Sequence, residues 1–178
     1  RVLPVVDALG ALHALGYVHA DVKCANVLLD ADGLPKLADF SSAREIGMPG
    51  TAEGSPYGMS PQRFAGEPAA VTDDVYAVGV MLYQLIGGHP PFYPDVTPER
   101  VRSEEPAPLV GRPPVPPQLA ALVARCLAKE AARRPADMLE LAGALRECLE
   151  LPVADEPPAA AGPRLVPPVE AAPIRPAW

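Results

Sequence analysis

One apolar segment, VYAVGVMLYQLIGG at residues 75–88, does most to limit the folds open to this chain. The segment is too short to cross a bilayer, which takes about 20 apolar residues, and Gln84 interrupts it. A helix that is apolar on all sides is normally buried at the centre of a protein. We therefore expect a central helix, with Thr72 as its N-cap and Asp73 and Asp74 in its first turn.

Three other segments have the apolar spacing of helices that would pack around this centre. They are residues 2–16, 118–133 and 136–151. By contrast, NVLLD at 26–30 and PKLAD at 35–39 predict two short strands, because the turn between them contains Asp-Gly. The predicted fold class is mainly α, a helical bundle around a buried central helix with one small β-hairpin.

Length and composition predict one domain followed by a tail. Residues 1–150 carry the periodic segments and form the predicted domain. Residues 151–178 are rich in proline and alanine and lack periodicity, which predicts a disordered tail or linker. The net charge of −7 and the absence of a basic patch argue against nucleic acid as a partner. No segment is predicted to span a membrane.

The cysteines and two of the histidines add little chemistry. Cys24, Cys126 and Cys148 are widely spaced and odd in number, which fits a reducing cytoplasm and offers no zinc motif. His13 and His89 are predicted to be surface or loop residues without a partner. We expect a cytoplasmic protein.

The hairpin brings polar residues together within HADVKCANVLLDADGLPKLADF, residues 19–40. Asn26 opens the first predicted strand and Asp39 closes the second, so antiparallel pairing places both at the same end. The loop that carries Asp21 and Lys23 leads into that end. Transfer of a phosphoryl group from a nucleotide needs a carboxylate for the attacking hydroxyl, oxygen ligands for magnesium and a nearby cation. The stretch supplies each of these groups.

The same stretch resembles the catalytic loop and metal-binding motif of eukaryotic-like protein kinases, H-R-D-x-x-x-x-N and D-F-G. GSPYGMSPQ at 54–62 resembles the end of their activation segment, and TDDVYAVGVMLYQLIGGHPPF at 72–92 resembles their central helix. KEAARRP at 129–135 resembles their late arginine motif. These motifs occur in the family's order, and the resemblance covers residues 1 to about 150. It implies the large, C-terminal lobe of a bacterial-type serine/threonine kinase, which is α+β when both lobes are present.

The resemblance implies a role for each polar residue of the stretch. Asp21 would be the catalytic base, and Lys23 would contact the γ-phosphate of ATP. Asn26 and Asp39 would hold Mg²⁺. Leu28 would lie beneath the adenine.

Four further residues would support the site. His19 and Phe40 would pack as spine residues. Asp74 would anchor the backbone of the catalytic loop. Ser55 would stand where a threonine hydroxyl usually links the base to the substrate-binding loop.

The chain departs from the family's pattern at three positions without losing a catalytic group. Ala20 replaces the usual arginine, Ser41 the glycine of D-F-G, and Gln62 a glutamate. That glutamate normally pairs with a buried arginine, which would be Arg134 here. Gln62 can still accept a hydrogen bond, but without the assistance of a charge.

The sequence contains no counterpart of the small lobe. Gly-x-Gly-x-x-Gly does not occur, and none of the three lysines, Lys23, Lys36 and Lys129, lies in a strand like V-A-I-K. Only the floor of an ATP cleft is therefore encoded, and we expect the small lobe to belong to the same longer chain. These 178 residues alone are expected to have no appreciable activity.

Three functions remain open. The leading one is an ATP- and Mg²⁺-dependent kinase that phosphorylates serine or threonine in protein substrates. The second is an inactive pseudokinase or interaction module, which Ala20, Ser41 and Gln62 favour. The third is a small-molecule phosphotransferase of the aminoglycoside type, which shares H-x-D-x-x-x-x-N and a later aspartate. Residues 54–62 argue against the third, because that class lacks a peptide-docking loop of this pattern.

Overall fold

The computed structural model describes residues 2–49, 55–111 and 113–150 of the 178-residue chain. The predicted tail at 151–178 lies outside the described residues. The helices are α1 (Leu3–Ala14), α2 (Pro61–Phe64), α3 (Val71–Gly87), α4 (Pro98–Ser103), α5 (Pro117–Cys126) and α6 (Met138–Glu150). The strands are β1 (Tyr17–Val18), β2 (Val27–Leu29), β3 (Pro35–Leu37) and β4 (Arg44–Glu45).

Helix α3 is the predicted central helix. Every residue from Asp73 to Tyr83 is buried, and α1, α5 and α6 all pack against this helix. The approach of α5 depends on Gly79, since a Cβ there would lie 2.6 Å from the Cβ of Cys126. The mainly α fold around a buried helix is confirmed.

The start of α3 differs from the prediction. The helix begins at Val71 with Ala70 as N-cap, so the predicted cap at Thr72 is wrong. Asp73 explains the shift, because its carboxylate folds back and accepts a hydrogen bond from the Ala70 N–H at 2.9 Å. The second oxygen of Asp73 accepts from the Ser60 hydroxyl at 2.5 Å. The N-terminus is therefore satisfied by an acidic residue inside the first turn.

The predicted hairpin is present and slightly shorter than expected. Strands β2 and β3 pair antiparallel, with Val27 opposite Leu37. Asp30 closes the turn by accepting backbone N–H bonds from Asp32 and Leu34. Gly33 has a positive φ of 74°, which this turn requires and which glycine adopts at little cost.

A second ribbon links the two sides of the hairpin. Strands β1 and β4 pair antiparallel, with Tyr17 opposite Glu45, and bring the chain after the hairpin back against the chain before it. The sequence does not predict this pairing, because each strand has only two residues and no alternation to detect. The ribbon fixes both ends of the segment that carries the candidate site.

The predicted helix at 118–133 is wrong in its second half. Helix α5 ends at Cys126, and residues Ala131–Arg133 form a separate 3₁₀ turn. The end of α5 is stabilised by Arg134, because its guanidinium donates hydrogen bonds to carbonyl oxygens that lie beyond the helix. Its Nε donates to Ala128 O at 2.8 Å and its Nη2 to Lys129 O at 3.1 Å.

Candidate active site

The loop before the hairpin is anchored to the buried start of α3. The carboxylate of Asp74 accepts the backbone N–H of His19 at 2.7 Å and that of Ala20 at 2.9 Å. Ala20 has a φ of 64°, a left-handed conformation that is unfavourable for alanine. The Arg63 guanidinium donates to the Ala20 carbonyl, so both backbone polar groups of this residue are held. Asp21 therefore leaves a fixed stretch of backbone.

His13 is a third partner of Asp74. Its Nε2 lies 2.9 Å from the Asp74 carboxylate, and its side chain is only 8% exposed. The prediction of a surface or loop histidine without a partner is wrong, because α1 lies directly beside the start of α3. The contact joins residues 61 positions apart, and no local sequence signal reveals it.

Asp21 is held by groups from its own loop and from the segment beyond the hairpin. Lys23 Nζ lies 2.7 Å and Asn26 Nδ2 3.0 Å from its Oδ2. The backbone N–H of Ser55 donates to its Oδ1 at 3.1 Å. Burial raises the pKa of Asp21, but these hydrogen bonds outweigh burial and hold the pKa below its usual value. Asp21 is therefore an ionised, oriented carboxylate at neutral pH.

Asp39 lies at the same end of the hairpin as Asn26. The Ala38 N–H donates to Asn26 O at 2.9 Å, which closes the ladder beside both residues. The Asp39 carboxylate is exposed, and it accepts the Ser41 hydroxyl at 2.6 Å and the Ser41 N–H at 3.3 Å. These bonds from Ser41 hold the pKa of Asp39 below its usual value, although the charge of Asp21 opposes them. Asp39 is thus close enough to Asp21 for their charges to interact.

Apolar side chains flank this end of the hairpin. His19 is fully buried, and its ring lies 5.1 Å from that of Phe40. Phe40 itself is 50% exposed, and Leu28 is 58% exposed. The two residues predicted to pack against a spine and an adenine therefore present apolar surface to solvent.

The structure thus brings Asp21, Lys23, Asn26 and Asp39 together, as the sequence predicts. The protein kinase domain family model matches residues 2–150. This chain belongs to the protein kinase family.

The curated relatives of this protein kinase chain carry serine/threonine specificity in their names. The chain is 37% identical to serine/threonine-protein kinase PknL of Mycobacterium tuberculosis over 161 residues, which are 84% of this chain and 40% of PknL. It is 37% identical to serine/threonine-protein kinase PkaA of Streptomyces coelicolor over 143 residues, 74% of this chain and 26% of PkaA. The chain therefore spans less than half the length of either relative.

A solved kinase has a similar fold. The structure of the Cydia pomonella granulovirus kinase PK-1 matches with a TM-score of 0.69 and 25% sequence identity. The match covers 79% of this chain and 54% of the viral chain. Across the described residues, no helix has both the length and the hydropathy needed to cross a membrane.

Gln62 and Arg134 form the contact that the kinase motifs suggest. Arg134 is buried, and its Nη2 donates to Gln62 Oε1 at 2.5 Å. Gln62 in turn donates from Nε2 to Lys129 O at 2.9 Å, which a glutamate could not do. The replacement of glutamate by Gln62 therefore removes a charge but adds a hydrogen bond to the turn that follows α5.

The oxygen atoms near Asp21 suit magnesium. The amide nitrogen of Asn26 faces Asp21, which leaves its amide oxygen for a cation. Asp39 adds a carboxylate at the same end of the hairpin. In the parts of the chain that the structure describes, no three His, Cys, Asp or Glu side chains cluster as a metal cage. The donor set fits Mg²⁺, which takes one or two protein oxygens and completes its shell with phosphate and water.

Proposed function

We propose that this chain is the catalytic large lobe of a serine/threonine protein kinase, which transfers the γ-phosphate of ATP to a hydroxyl of a protein substrate. The observation that carries the proposal is the carboxylate of Asp21, fixed by Lys23, Asn26 and the Ser55 N–H. The serine/threonine kinases among its relatives support the same acceptor class.

In this proposal, each polar residue of the site has the role that the resemblance implies. Asp21 orients the substrate hydroxyl and takes its proton as the oxygen attacks phosphorus. Lys23 lies beside Asp21 and supplies positive charge to the phosphoryl oxygens. Asn26 and Asp39 would hold Mg²⁺, which neutralises phosphate charge when it is bound with ATP.

The rest of the ATP site requires a small lobe. Leu28 would form the floor beneath the adenine, and its exposure supports a partner surface above it. The exposed ring of Phe40 supports the same expectation. Free cysteines at 24, 126 and 148 support a reducing, cytoplasmic setting.

Phosphoryl transfer tests the proposal directly. The protein expressed from the gene's full reading frame should phosphorylate a serine- or threonine-containing substrate, and the 178 residues alone should not. Asp21→Asn and Asp39→Asn should each lower kcat by about 10²–10⁴-fold. Asp32→Asn, in the exposed hairpin turn, is the matched control and should retain activity. Transfer at the wild-type rate by Asp21→Asn would refute the assignment.

A second candidate is an interaction module without catalysis. Ser41 favours it, because its hydroxyl and N–H occupy an oxygen of Asp39 that a metal would otherwise share. Calorimetric titration of the protein expressed from the full reading frame with ATP, in the presence and absence of Mg²⁺, separates the two functions. A kinase binds the nucleotide more tightly with the metal, whereas a pure interaction module need bind neither.

A further inference from the structure

A cavity of about 340 Å³ opens beside the candidate catalytic carboxylate. Lys23 and Ser55 line it, and both contact Asp21. Asn26 and Asp39, which would face the metal, are not among its lining residues. The cavity therefore lies beside Lys23 and the Ser55 side of Asp21, away from the residues that would hold the metal, and a substrate polypeptide that brings its hydroxyl to Asp21 would pass over it.

The walls of the cavity are mostly apolar. Val80 and Met81 of α3 form a buried floor. Tyr57 and Tyr93 also line the cavity, and both residues are exposed. Gly58 also lines the cavity, and a Cβ there would lie 3.2 Å from the Val22 carbonyl oxygen.

The charges around the cavity disfavour a basic side chain. Among the described residues that line it, none is a carboxylate and the cation is Lys23. Lys23 is already paired with Asp21 at 2.7 Å, so it offers little attraction to an acid, and a basic side chain finds no carboxylate partner among the described lining residues. Gln84 is neutral, and its Oε1 accepts a weak hydrogen bond from the Cys24 thiol at 3.7 Å.

We propose that this cavity binds an uncharged, apolar side chain of the substrate polypeptide near the phosphorylated residue, and that it selects apolar over basic sequences. The inference rests on the proposed kinase function and names the substrate class of the same site. Ligand pockets usually measure roughly 300–1,000 Å³, so this one suits a single large side chain rather than a longer segment. Burial of an apolar group against Val80 and Met81 supplies the affinity.

Gln84 offers the sharpest test, because it is the neutral polar group of the lining that comes from α3. Peptides that contain one serine, with Leu, Phe, Arg or Glu placed at each flanking position in turn, are assayed with the protein expressed from the full reading frame. At one position, kcat/KM should be at least tenfold higher for Leu or Phe than for Arg, a difference of about 1.4 kcal/mol. Gln84→Glu should raise kcat/KM for the Arg peptide about tenfold, whereas the matched variant Gln84→Leu should keep the apolar preference.

A wild-type preference for Arg or Glu at every selective position would overturn the inference. So would a kcat/KM for the Arg peptide that Gln84→Glu leaves unchanged. Equal rates for all peptides would also overturn it, while leaving the proposed kinase function in place.

A binding readout separates this inference from the proposed function. Fluorescence anisotropy measures the Kd of the labelled Leu and Arg peptides for the 178-residue chain and its Gln84 variants. Tighter binding of the Leu peptide, reversed by Gln84→Glu, supports the cavity assignment even if no peptide is phosphorylated. Equal Kd values for both peptides overturn the assignment even if phosphorylation occurs.

Discussion

The catalytic loop around Asp21 and the turn around Asp39 belong to one site but are held in different ways. Asp21 has a side chain only 10% exposed, and it is fixed by Lys23, Asn26 and the distant Ser55. Asp39 is exposed, and the described hydrogen bonds of its carboxylate come from Ser41, two residues away. One carboxylate is embedded in the fold, whereas the other depends on its immediate neighbours.

The difference shows which half of the site this lobe builds by itself. The loop before Asp21 is tied to Asp74 by bonds that join residues 54 and 55 positions apart, so folding of the helical core orders it. The half near Asp39 lies beside the exposed side chains of Leu28 and Phe40. We expect the acceptor side to be preformed, and the nucleotide side to become ordered through further contacts.

The largest expected effect is that of Asp74→Asn on stability. The amide can accept through one oxygen only, so the His19 or Ala20 N–H loses its partner inside the protein. The free energy of unfolding in urea should fall by about 3 kcal/mol. The matched change Asp39→Asn should leave the urea midpoint unaltered. Equal losses in the two variants would contradict the distinction between an embedded and a local carboxylate.

A smaller loss is expected from Gly79→Ala, which tests the core that holds the acceptor side. The added methyl group would lie 2.6 Å from the Cβ of Cys126 and would push α5 away from α3. The free energy of unfolding should fall by about 2 kcal/mol. Gly143→Ala in α6 is the control, because its Cβ meets no atom within 4 Å, and it should stabilise by about 0.5–1 kcal/mol. An unchanged free energy of unfolding in Gly79→Ala would mean that the packing of α5 on α3 is loose.

The smallest expected effect is the pH dependence that comes from Asp21. Its pKa in the folded chain lies below the ordinary value of 3.8, so the unfolded chain takes up the proton first as the pH falls. The stabilisation by the carboxylate is present above pH 3.8 and is lost as the pH falls through the folded pKa. Acid unfolding of the wild type and Asp21→Asn measures it. The wild type should lose stability relative to the variant below pH 3.8, and parallel curves would contradict the hydrogen bonds assigned to Asp21.

Much of this arrangement could be predicted because its signals are local. Asp-Gly between apolar runs predicts the hairpin, and the hairpin predicts that Asn26 and Asp39 share an end. The uninterrupted apolar character of residues 75–83 predicts a buried α3. These features depend on backbone preferences and burial, which each segment expresses in its own sequence.

The features that the sequence did not predict depend on contacts between distant segments. The bond between His13 and Asp74 and the pairing of β1 with β4 leave no periodic trace. Thr97 and Pro98 form a standard helix start, but α4 has only six residues, which are too few to show a helical apolar period. No local pattern predicts the cavity beside Lys23, since four separate segments form its walls.

Hydrogen exchange of the 178-residue chain, resolved by residue with NMR, tests the central claim most directly. The amides of His19 and Ala20 should exchange only when the core unfolds, because both donate to the buried Asp74. The amide of Ser41 should exchange through local opening, because its acceptor Asp39 is exposed. That contrast would establish an acceptor side that this lobe forms by itself. Equally fast exchange at His19, Ala20 and Ser41 would contradict the account.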